Sequence, residues 1–161
     1  MSTVLQYEPE PEPEPPSSAV SDAACEARVD RTMAMAHLPA AAHVALIGHH
    51  TLPLLLALLR LGCSAVRCLR PEAPAPDREA VDLAWIVDAE GDVELDQALR
   101  VARGRIGLTG RVMVEGMECA CRGGLSSLCD HATAAGLDVV SFDHKTNRLM
   151  FAAQRSVAMT G

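Results

Sequence analysis

At 161 residues the chain is long enough for one domain with a real core plus a tail. Apolar residues make up 49% but aromatics only 2%, so the core must be built from Leu, Val, Ala, Ile and Met, and base stacking on exposed rings is disfavoured. A formal charge of −7 also speaks against a phosphate backbone as partner, and no apolar run approaches the roughly 18 residues that span a bilayer.

Residues 1–20 contain "EPEPEPEPP", in which proline removes backbone donors and repeated glutamates repel. This predicts an extended acidic tail, with a polyproline ligand for a partner domain as its alternative use. The acidic, proline-rich start does not read as a secretory leader, so reduced thiols and a cytoplasmic location are expected. Residues 21–38 read as an N-terminal helix, capped by Ser21 or Asp22 and carrying Cys25, Val29, Met33 and Ala36 on one face.

From residue 40 the chain alternates strand and helix. His43–Ile47 is a buried strand that stops at Gly48. Leu52–Leu61 is a helix with Thr51 as cap, Pro53 in its first turn and Gly62 at its end. Ala65–Leu69 is a second strand. The stretch "RPEAPAPD" from Arg70 to Asp77 has too many prolines to be other than a loop. Leu83–Val87 is a third strand, Asp92 caps a helix to about Arg103, and Arg111–Glu115 is a fourth strand. A helix over Leu125–Ala135 precedes two strands, Asp138–Phe142 and Leu149–Ala153, joined by a short antiparallel turn. Repeated βα units predict an α/β three-layer Rossmann-like sandwich, with a mostly parallel sheet of about six strands ending in an antiparallel hairpin.

Three stretches resemble the class I S-adenosylmethionine-dependent methyltransferase fold. "ALRVARGRIGLTGRVMVEG" is similar to that family's helix, glycine-containing turn and following strand. "LSSLCDHATAAGLDVVSF" resembles the next helix and strand, and "NRLMFAAQR" the closing antiparallel strand. The resemblance covers residues 40–155, leaving 156–161 as a C-terminal tail. It implies a cofactor site at the carboxyl ends of the strands, where the strand order reverses. Gly48, His49, His50, Arg70, Asp88 and Glu115 are its candidate residues, with Glu90 beside them at the pocket mouth.

The site departs from the family pattern at three points. Only Gly48 matches the glycine-rich first turn, and His49 and His50 fill places where small residues belong. Arg70 and Pro71 stand where an acidic residue accepts hydrogen bonds from the ribose, and arginine cannot accept. The short span from Leu69 to Val81 leaves no room for the further strand and helix that contact adenine. The expected function is therefore a degenerate methyltransferase-like domain, a non-catalytic binding or self-association module without cofactor. Its partner would be another protein or a homo-oligomer. An active S-adenosylmethionine-dependent methyltransferase with an atypical site is the alternative.

Other chemistries fit less well. Arg67 and Arg70 are placed to meet a 2′-phosphate, but His50 and Pro53 stand where a dinucleotide fingerprint needs glycine. Cys119, Cys121 and His131, with Cys129, are the residues of a third possibility, a small metal or redox module, although C-x-C is not the usual zinc spacing. Cys121, before Arg122 and a helix start, is the candidate reactive thiol.

Overall fold

The computed structural model describes residues 17–74, 79–116 and 123–154. In chain order the elements are α1 (Ser17–Met35), β1 (His43–Ile47), α2 (Leu52–Leu61), β2 (Ala65–Leu69), β3 (Val81–Ile86), α3 (Gly91–Arg105), β4 (Ile106–Glu115), α4 (Gly124–Ala134), β5 (Leu137–Asp143) and β6 (Arg148–Ala153). Helix α1 begins ahead of Ser21, and its buried face carries Val29, Met33 and the adjoining Ala36. These are the positions that three- and four-residue spacing predicts.

The strands form one six-stranded sheet in the order β2-β1-β3-β4-β6-β5. Strand β1 pairs in parallel with β2 and β3, and β3 in parallel with β4. Strand β6 is antiparallel to both β4 and β5. Alternate residues of the central strands feed two cores. Val44, Leu46, Leu83, Trp85 and Met113 face α1 and α2. Ala45, Ile47, Ala84, Ile86 and Val114 face α3 and α4. The result is the expected three-layer sandwich, its sheet covered on both sides by apolar helix faces.

Local signals and structure differ in three places. Strand β4 starts at Ile106, so Gly107–Gly110, expected as a turn, lies within a strand. Val81 pairs with Ile106 but Leu83 with Arg111, so β4 bulges against β3. Gly110 permits this, because a Cβ there would sit 2.9 Å from the Val81 carbonyl oxygen. Thr51 does not cap α2 through its side chain, since its backbone is already helical (φ −91°, ψ −13°) and a capping residue needs extended geometry. At α3 the N-cap is Glu90, not Asp92, and its N–H donates to Glu94 Oε2 at 3.0 Å. Gly62 closes α2 as expected, in the left-handed region at φ 96°.

Candidate functional site

The strand order reverses between β1 and β3, and the turns leaving their carboxyl ends flank a crevice. Gly48 forms its floor. Its N–H donates to the Leu69 carbonyl, and the Val87 N–H donates to the Ile47 carbonyl, so the ladder runs one residue beyond each strand. At φ 156° Gly48 approaches β3 so closely that a Cβ would lie 2.3 Å from the Val87 carbonyl oxygen. The turn needs glycine for this contact with its own sheet.

His49 crosses the crevice. Its Nε2 lies 2.7 Å from Glu94 Oε1 in the first turn of α3, and its Nδ1 lies 2.9 Å from Arg70 Nη1 just beyond β2. Arginine can only donate, so Nδ1 must offer its lone pair and Nε2 must carry the proton. That neutral tautomer donates to Glu94 Oε1, a buried oxygen with no other partner among the described residues. Glu94 Oε2 meanwhile holds the start of α3 through Glu90 N–H. The result is a continuous bar, Arg70–His49–Glu94, from the end of β2 to the start of α3. Beside it lies a cleft of about 230 Å³ lined by Gly48, His49, Thr51, Cys68, Leu69 and Arg70.

Of the six sequence candidates, Gly48, His49 and Arg70 thus meet in one cleft. His50 is exposed on the same turn and is not among the lining residues. Asp88 is exposed just after β3 in the left-handed region, φ 53°, and it too does not line the cleft. Glu115 is occupied elsewhere. Its Oε2 accepts from Arg28 Nε at 2.9 Å and Trp85 Nε1 at 3.0 Å, and its Oε1 from Arg148 Nη2 at 2.7 Å and Nε at 3.1 Å. Both guanidinium groups lie over the Trp85 ring, at 5.7 and 6.0 Å from its centroid. This hub ties α1 to β3, β4 and β6.

Cys119 and Cys121 lie outside the described residues. His131 is paired within the fold, its Nδ1 2.6 Å from Asp96 Oδ1 and its Nε2 3.9 Å from Asp92 Oδ1, so it links α4 to α3. Among the described residues no group of three or more His, Cys, Asp or Glu is placed to hold a metal ion. Burial pushes the Cys63 thiol up, and burial together with the neighbouring Asp130 charge does the same for Cys129, away from reactive thiolate. No helix among the described residues is long and apolar enough to cross a membrane.

Sequence reasoning passed over Glu94, although its place in the first turn of a helix is where a carboxylate is favoured. It also passed over Arg28 and Arg148, for which no local signal exists.

No family model and no curated protein matches the chain. Solved structures do match its fold. A TehB-like S-adenosylmethionine-dependent methyltransferase from Corynebacterium glutamicum superposes with a TM-score of 0.60 at 14% identity, over 81% of this chain and 88% of that one. A methyltransferase from Streptomyces caelestis gives 0.60 at 14% identity, over 79% and 89%. An S-adenosylmethionine-bound amino pentose methyltransferase from Micromonospora echinaspora gives 0.57 at 12% identity, over 91% and 100%. The sheet order, its antiparallel end and these superpositions together give the chain the Rossmann-like fold of class I S-adenosylmethionine-dependent methyltransferases.

Proposed function

We propose that this chain is a methyltransferase-like scaffold that binds no S-adenosylmethionine and serves as a non-catalytic binding module. The observation that carries this reading is the Arg70–His49–Glu94 bar across the crevice. A nucleoside cofactor needs an acceptor at the end of β2 for its ribose hydroxyls, and Arg70 supplies only donors there. To enter, the ligand would have to displace a side chain held at both ends, leaving Glu94 Oε1 buried and unpaired. The cleft of about 230 Å³ is also below the roughly 300–1,000 Å³ of small-molecule sites. Nor does the Glu115 carboxylate have a free lone pair to offer while three side chains donate to it.

Isothermal titration with S-adenosylmethionine and with S-adenosylhomocysteine tests the reading. Neither ligand should bind measurably at millimolar concentration. A double variant, His49→Gly with Arg70→Asp, restores both the small turn residue and the acceptor, and should gain weak binding. Micromolar binding by the unaltered chain, weakened by Gly48→Ser, would replace this reading with that of a working methyltransferase.

A further inference from the structure

The order of the strands leaves one side of the molecule unfinished. Helix α2 carries the chain from β1 outward to β2 on the face it shares with α1. Right-handed crossovers would place the helix of another outward unit on that same face, beside α2, and its strand against β2. The chain turns back instead, through Arg70–Ala80 to β3 on the far side of β1. Two neighbouring surfaces therefore lack a cover: the outer edge of β2 and the outer flank of α2.

Both are built to be covered. On α2, Leu54, Ala57 and Leu58 face the core. The flank toward α1 carries Arg60, paired with Asp22 and Glu26 at 3.4 and 3.3 Å. The opposite flank carries Leu52, Leu55 and Leu59, spaced as a helix–helix seam, with Leu52 63% and Leu59 50% exposed. Helix α2 contains no acidic residue, so nothing on it repels a second apolar helix except Arg60, which is already paired. On β2, Val66 and Cys68 face the α2 side, while Arg67 points to the other face and pairs with Glu79. The charge on β2 thus does not guard its edge.

We propose that a second copy of this chain covers both surfaces at once. A twofold axis normal to the sheet, beside β2, sets β2 antiparallel to the partner subunit's β2 and leaves each α2 on the same face. Helix α2 packs over β1 and β2, so the two copies of α2 stand two strand spacings apart, about 9.6 Å. That is within the 8–10 Å of packed helices. Two steps of sheet twist rotate them by about 40–50°, close to the commonest helix-packing angle. The antiparallel arrangement brings Leu52 against Leu59 of the partner subunit and opposes the two helix dipoles. One operator therefore satisfies an open strand edge and an open helix seam, which an unrelated partner would have to match separately. A ten-residue helix is only about 15 Å long, so the interface is near the lower limit for a specific one and the dimer dissociates in the micromolar range.

The surface lies outside the crevice, so its test is independent of cofactor binding: a dimer that also bound S-adenosylmethionine would sink the proposed function and leave this inference standing. Sedimentation velocity on the full chain from 1 to 300 µM should show a monomer–dimer equilibrium. The double variant Leu52→Glu with Leu59→Glu, which sets like charges face to face, should weaken it by at least about 100-fold. Val93→Glu, 74% exposed on the opposite layer, should leave it unchanged. Circular dichroism checks that each variant is folded. Cys68, exposed in the single chain, comes to lie beneath the paired helices, so its alkylation rate, read by peptide mass spectrometry, should fall as the dimer fills. A folded chain that stays monomeric at 300 µM overturns the proposal, as does a dimer indifferent to the double variant. Cys68 protection at every concentration would mean that another part of the same chain covers the edge, and would overturn it equally.

Discussion

Glu115 and Glu94 are both carboxylates near the carboxyl end of the sheet, and they are used in opposite ways. Glu115 receives donors from α1, β3 and β6 together, one of them the nearly inaccessible Arg148. Every lone pair it presents has a side chain on it, so it is a fastening of the fold. Glu94 Oε1 receives a single imidazole N–H, from a residue that is itself part-exposed and held on its other side by an exposed arginine. A carboxylate answered by three rigid elements resists change, whereas one answered by a single cleft residue can be released. The first region explains why this sheet persists without a cofactor, the second where a ligand would have had to go.

Breaking the hub should cost most. Glu115→Gln leaves the Arg148 guanidinium, 2% exposed, without its counter-charge, and should lower unfolding free energy by about 3–5 kcal/mol in urea titration. Arg28→Ala removes a partner that sits nearer solvent and should cost only about 1 kcal/mol. If both changes cost the same small amount, Glu115 is not the fastening described.

The crevice floor comes next. Gly48→Ala forces a methyl against the Val87 carbonyl and should cost about 2–4 kcal/mol in the same titration, by overpacking and backbone strain together. This separates two reasons for a glycine at that turn. If it served only to admit a ligand, alanine would be tolerated by the ligand-free chain.

What the sequence made legible follows from how far each signal reaches. Helix α2 lies within its own punctuation, Pro53 at the start and Gly62 at the end, and its predicted bounds match those observed. The strands reveal themselves through apolar runs such as those at β1 and β3, buried on both faces. Propensity failed where tertiary contact decides. The glycines between Ile106 and Arg111 look like a turn, but pairing with β3 holds them in a bulged strand. The crevice was legible in its first turn, because Gly48, His49 and Arg70 lie next to strand ends. Its other anchor, Glu94, comes from a helix beyond another strand. The hub was illegible altogether, since Arg28 and Glu115 are 87 residues apart and meet only because α1 packs on this face of the sheet.

A smaller loss is expected from His49→Ala. It removes both bonds of the bar and leaves Glu94 Oε1 unanswered, but the cleft is open and water can replace the imidazole. The cost should be about 1–2 kcal/mol, below that of either preceding change. A cost as large as that of Glu115→Gln would place Glu94 with Glu115 as part of the framework.

The smallest effect belongs to a third carboxylate, fully exposed in the β5–β6 turn. Asp143 accepts from the Thr146 hydroxyl at 2.5 Å and the Lys145 N–H at 3.0 Å. The Thr146 bond first, then the backbone bond from Lys145, hold its carboxyl below the usual aspartate value. Because its folded pKa is the lower one, Asp143 supports the fold at pH values above the unfolded pKa of about 3.9, and that support disappears as pH falls through the folded value. A carbon-detected NMR titration should give Asp143 a midpoint below that of a free aspartate, and Thr146→Val should move it back up. The same acid titration should leave near-neutral stability unchanged in Thr146→Val relative to other exposed turn substitutions, since this bond contributes through charge and solvent screens it. A midpoint at the ordinary value in the unaltered chain would show that the turn's bonds exchange freely with water, leaving carboxylates enclosed by several elements, as Glu115 is, to hold this sheet together.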